Sequence, residues 1–79
     1  MRLISTPHSS NVESFGYDSA SRELIVVFKG GRAYKYIDVN EETARNLYKA
    51  ESAGQFINRH VIPKHGVTKI DGFNPEDYA

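Results

Sequence analysis

Residues Glu23 to Asp38 read E-L-I-V-V-F-K-G-G-R-A-Y-K-Y-I-D. Two runs of β-branched and aromatic residues flank Gly30-Gly31, the pattern of a β-hairpin. The first arm is apolar at both parities: Leu24, Val26 and Phe28 alternate with Ile25 and Val27. Such a strand is central and at least partly covered on both faces. The second arm sets Tyr34 and Tyr36 two residues apart, so both rings leave one face. Loop length decides which face that is. A two-residue turn pairs Phe28 with Ala33 and places Lys35 beside Leu24, Val26 and Phe28. An odd loop brings Tyr34 and Tyr36 to that face instead and sends Lys35 to the other. The odd loop is favoured, because burying Lys35 costs more than exposing Ile37.

Upstream, Val12 to Tyr17 is a further strand with Val12, Phe15 and Tyr17 as its apolar residues. Val12 and Phe15 have opposite parity, which predicts a bulge or bend near Ser14 or Gly16. Pro7 to Asn11 reads as a loop and Asp18 to Ser21 as a turn. Downstream of Val39 the spacing becomes helical. Asn40 is a good N-cap, Glu41 and Glu42 suit the first turn, and Ala44, Leu47, Tyr48 and Ala50 give the helix face. Glu51 to Gly54 interrupts this pattern, with Ser52 a second N-cap and Gly54 the joint between helices. A short helix then runs to His60, burying Phe56, Ile57, His60 and Val61, and Pro63 ends it. Beyond Lys64 the signals fade, and Asn74 to Asp77 offers one helical turn or a frayed end. The expected class is α+β: a three-stranded antiparallel meander near 12–17, 23–29 and 33–38, then helices near 41–50 and 53–61 packed on one face. Phe15, Phe28 and Phe56 are expected in the core with Leu24, Val26 and Leu47.

Composition narrows the function classes. A chain of 79 residues is one small domain, able to bury roughly 60% of its unfolded surface. Without cysteine it has neither a disulfide framework nor a Cys-based zinc site. No apolar run has the length of a membrane span, and M-R-L-I-S-T-P is too short for a secretory signal, so a cytoplasmic location is expected. Ten Lys and Arg balance ten Asp and Glu, which argues against strong non-specific nucleic-acid affinity. The acids Asp71, Glu76 and Asp77 gather at the end, however, leaving residues 1–70 with an excess of three positive charges.

Three strings in order resemble a known family: S-S-N-V-x-x-F-G-Y-D from Ser9, L-x-V-x-F-x-x-G-x-x-Y-x-Y-x-x-V from Leu24, and L-x-x-A-x-S-A-G-x-F-I-N-R-H-V from Leu47. Together they resemble the KTSC domain, a small domain named for the C-terminus of some lysyl-transfer-RNA synthetases and found also as stand-alone bacterial and phage proteins. The resemblance centres on Tyr34-Lys35-Tyr36 and departs at Asn40, where the family usually has proline. It implies a division into an extension over 1–8, a KTSC-like domain over 9–65 and a tail over 66–79. Attachment to a synthetase implies RNA binding and little more, since fold alone does not define function.

The candidate ligand-binding residues are Tyr34, Tyr36, Lys35, Arg32, Arg59 and Lys64. Aromatic rings stack on nucleobases while cations meet phosphate. The same tyrosines also read as core, with their hydroxyls reaching the surface. A-E-S-A-G, from Ala50, weakly resembles a phosphate-accepting loop at a helix start. Asn58-Arg59-His60 is the most polar part of an apolar region and extends a basic surface with Lys64 and His65. His8, His60 and His65 lack metal-ligand spacing, and no P-loop, dinucleotide fingerprint, paired carboxylates or Ser-His-Asp arrangement is present. No catalytic residue, cofactor, metal or membrane partner is therefore expected. The leading expectation is a small non-enzymatic module binding RNA or a nucleotide. The alternative is a protein-interaction module, such as a phage protein binding a host factor, with an apolar patch of Ile25, Val27 and Ile37.

Overall fold

The computed structural model describes residues 3–6 and 11–78. Five strands form one antiparallel sheet in chain order: β1 (Ile4–Ser5), β2 (Val12–Asp18), β3 (Glu23–Phe28), β4 (Ala33–Tyr36) and β5 (Val67–Ile70). Between β4 and β5 come α1 (Glu41–Lys49) and α2 (Ala53–Phe56), the latter continuing as a π turn over Ile57–Val61. A 3₁₀ turn, Pro75–Tyr78, follows β5. The α+β class holds, and β2, β3 and β4 form the expected meander. The edge strands β1 and β5 are additions to it, β5 arising where sequence signals fade. Ser9, Ser10 and His8, and the expected loop apart from Asn11, lie outside the described residues.

The hairpin uses the odd loop. The Phe28 amide donates to the Arg32 carbonyl at 2.8 Å, and Gly31 closes back on the Phe28 carbonyl at 3.1 Å. Gly30 and Gly31 hold φ at +100° and +88°, a region that side chains with a Cβ rarely occupy. Val26 therefore pairs with Tyr34 and Leu24 with Tyr36. Lys35 pairs with Ile25 on the opposite face. On β2 the register slips between Val12 and Ser14, so Val12 and Phe15 reach the same face despite their parity.

That face is the core. Val12, Phe15, Leu24, Val26 and Tyr36 pack with Val39, in the connection leading into α1, and with Leu47, Ala53, Ile57 and Val61 from the helical layer. Ile25 and Val27, on the other face, are also buried, at 3% and 2% exposure. The apolar patch expected of Ile25, Val27 and Ile37 therefore does not form; Ile37 is the exposed member. Asn40 caps α1, its Oδ1 accepting from Thr43 N at 2.8 Å, and Ser52 Oγ accepts from Gln55 N at 3.3 Å. Tyr17 ties β2 to the connection between β4 and α1 by donating its hydroxyl to the Val39 carbonyl.

Three expectations about burial are corrected. Phe28 and Phe56 are half-buried against the core rather than within it. His60 is exposed, because the π turn gives the buried positions to Ile57 and Val61. Tyr48 is exposed too, although its ring meets Phe15 at 5.0 Å.

Candidate functional site

The odd register places Phe28 and Tyr34 on one face beside the hairpin loop. Their rings meet edge to face, centroids 5.7 Å apart at 72°, a favoured aromatic geometry. Both are partly exposed. The Lys29 amide donates to the Asn11 carbonyl at 2.8 Å and draws the start of β2 against the loop. A groove of about 460 Å³ results, lined by Asn11, Phe28, Lys29, Arg32 and Tyr34. Arg32 is exposed, and Lys69 of β5 stands directly opposite Tyr34 in the sheet register. An aromatic wall flanked by a guanidinium and a neighbouring ammonium can stack a planar ring and meet an anion.

The two tyrosines of the Y-x-Y centre have different environments. Tyr36 is only 4% exposed, so its ring has no free face for a ligand. Burial, and secondarily the nearby Tyr34 hydroxyl, push its pKa above 10.0. Its place among the candidate ligand residues is thus corrected to one in the core. Lys35 is corrected as well: it lies across the sheet from Tyr34, its Nζ 3.4 Å from Glu23 Oε2. Arg59 belongs to a different groove, of about 530 Å³, at the α1–α2 junction. Lys64 is exposed just beyond the π turn. Of the six predicted residues, Tyr34 and Arg32 share one groove.

Sequence reading passed over Phe28, Asn11 and Lys69 as site residues. Phe28 was within reach, since the favoured register already set it on the face of Tyr34. Lys69 was not, because its position depends on β5. Among the described residues no group of three His, Asp or Glu side chains is placed to hold a metal. No helix there is long and apolar enough to cross a membrane.

Known proteins place this arrangement in a family. The family model described as KTSC domain matches residues 8–65. A protein of Tsukamurella paurometabola is 43% identical over 56 residues, covering 71% of this chain and 84% of that protein. The crystal structure of a KTSC domain protein from Yersinia pestis superposes with a TM-score of 0.79 at 31% identity, covering 87% of this chain and 96% of the other. The chain belongs to the KTSC domain family.

Proposed function

We propose that this KTSC domain is a cytoplasmic, non-enzymatic binding module whose ligand is RNA or a nucleotide, held in the Phe28–Tyr34 groove. The observation that carries the reading is the half-exposed Tyr34 ring, set edge-on to Phe28 with Arg32 in the same groove. Tyr34 stacks on a base while Arg32 and Lys69 approach the phosphate. Tyr36 supports Tyr34 from the core and makes no contact with the ligand.

The test is fluorescence anisotropy with short single-stranded RNAs at two salt concentrations. Stacking contributes about 1–3 kcal/mol per base, so Tyr34→Ala should weaken binding roughly 5- to 150-fold. A folded Tyr34→Ala protein that binds every RNA as the parent does removes stacking by this ring. The rival reading, a protein-interaction module, draws on Ile37, Ile62 and Val67, all exposed. Val67 pairs with Tyr36 at the sheet edge, and the Ile37 amide bonds the Gly66 carbonyl next to it. An Ile37→Ser/Val67→Ser variant that keeps full RNA affinity separates these exposed side chains from the groove.

A further inference from the structure

We propose that the groove at the α1–α2 junction is a second, separate site, which takes a nucleoside monophosphate, free or as the 5′ end of a strand. It shares no lining residue with the Tyr34 groove and does not rest on the reading given for that groove.

Its shape follows from the π turn. Ile62 N donates to the Ile57 carbonyl at 2.9 Å, five residues back, so the turn is one residue wider than an α-helical one. Ile57 and Val61 both stay buried, and the three residues between them, Asn58, Arg59 and His60, are all exposed. The wider turn rotates His60 off the core. Its ring lies against Phe56, centroids 4.8 Å apart at 43°. Phe56 in turn is only half-buried and lines the groove with Gln55, Arg59 and Glu51. Wide turns of this kind gather at functional sites.

Each group has a part in holding a nucleotide. The Phe56–His60 ring pair offers an aromatic surface for the base. The Gln55 amide carries both donors and an acceptor for the base edge. Arg59 presents the planar fork that fits a phosphate with two parallel hydrogen bonds. Glu51 places a carboxylate in the same lining, which opposes a long polyanion far more than a single phosphate. A groove of about 530 Å³ is in the range of small-molecule sites.

The experiment titrates the isotope-labelled full chain with adenosine monophosphate and follows backbone amide shifts. Adenosine, ribose 5-phosphate and 5′-phosphorylated triadenylate are the other arms. The expected result is saturable movement of Gln55, Phe56, Arg59 and His60 with adenosine monophosphate. Adenosine and ribose 5-phosphate should each bind at least tenfold more weakly. Arg59→Gln should weaken adenosine monophosphate at least tenfold, as loss of the charge-assisted hydrogen bonds does, and leave adenosine unchanged. Unmoved signals from Leu24 and Val26 confirm that the variant is folded. Tighter binding of the triadenylate assigns a strand end; equal or weaker binding assigns the free nucleotide. Shifts that never saturate, ribose 5-phosphate binding as well as adenosine monophosphate, or an Arg59→Gln protein that binds like the parent each overturn the proposal and leave Phe56 and His60 as a helix-stabilising pair.

Discussion

Tyr34 and Tyr36 sit two residues apart, share one face, and have opposite fates. Tyr36 pairs with Leu24 under the helical layer, whereas Tyr34 pairs with Val26 nearer the hairpin loop. Period-two spacing predicts the shared face but says nothing of where the helices stop covering it, so this division was not legible in the sequence. It has a measurable consequence. Tyr36→Ala should destabilise the domain by about 3–5 kcal/mol, like other large aromatic truncations in a core, and Tyr34→Ala by clearly less. Urea unfolding of the two variants checks the order. A pH dependence follows from the same burial. The Tyr36 pKa is raised in the folded state above its ordinary 10.0. The folded protein thus holds this proton more tightly than the unfolded chain. The corresponding stability is fully present below pH 10.0 and is lost as pH rises through the folded-state value. Urea midpoints measured from pH 8 upward should fall beyond about pH 10, and Tyr36→Phe should flatten that fall.

At the scale of elements, the hairpin was the most legible part of the chain. The cost of burying Lys35 selected the odd register, and the structure pairs Val26 with Tyr34 accordingly. The loop glycines can be tested directly. A Cβ at Gly30 or Gly31 meets nothing within 4 Å, so the penalty of alanine there is torsional alone. Gly30→Ala and Gly31→Ala should each cost about 1–2 kcal/mol, read as a lowered melting temperature without loss of the native fold. Asn40→Ala should remove about 1 kcal/mol through the lost cap on α1. The π turn was illegible, because Phe56-Ile57 and His60-Val61 fit an α-helical stripe equally well. The extra residue changes which of them is inside. Strand β5 escaped for a different reason. Val67, Thr68 and Lys69 are exposed and Ile70 is half-buried, so no alternation marks the strand. Its pairing with β4 is a tertiary fact.

At the scale of the whole molecule, electrostatics bounds what the Tyr34 groove can bind. The chain has no net charge, and its acids and bases are interspersed over most of its length. Lys35, one of the cations that drew attention to the hairpin, faces away and is paired with Glu23. Around the groove stand Lys29, Arg32 and, across the register, Lys69. With three cations among the described residues to meet phosphate, single-stranded RNA should show a slope of log K against log salt no steeper than about −2. A protein that tracks a long backbone shows a far steeper slope, because each neutralised phosphate releases counterions. Affinity should therefore level off once an RNA is a few nucleotides long, and Arg32→Gln should make the slope shallower while leaving the stacking term at Tyr34 in place. Anisotropy titrations across a series of salt concentrations and RNA lengths measure both quantities. A slope of about −5 or steeper, or affinity that keeps rising with length, would show that the ligand runs beyond the groove onto surfaces such as those carrying Arg59 and Lys64.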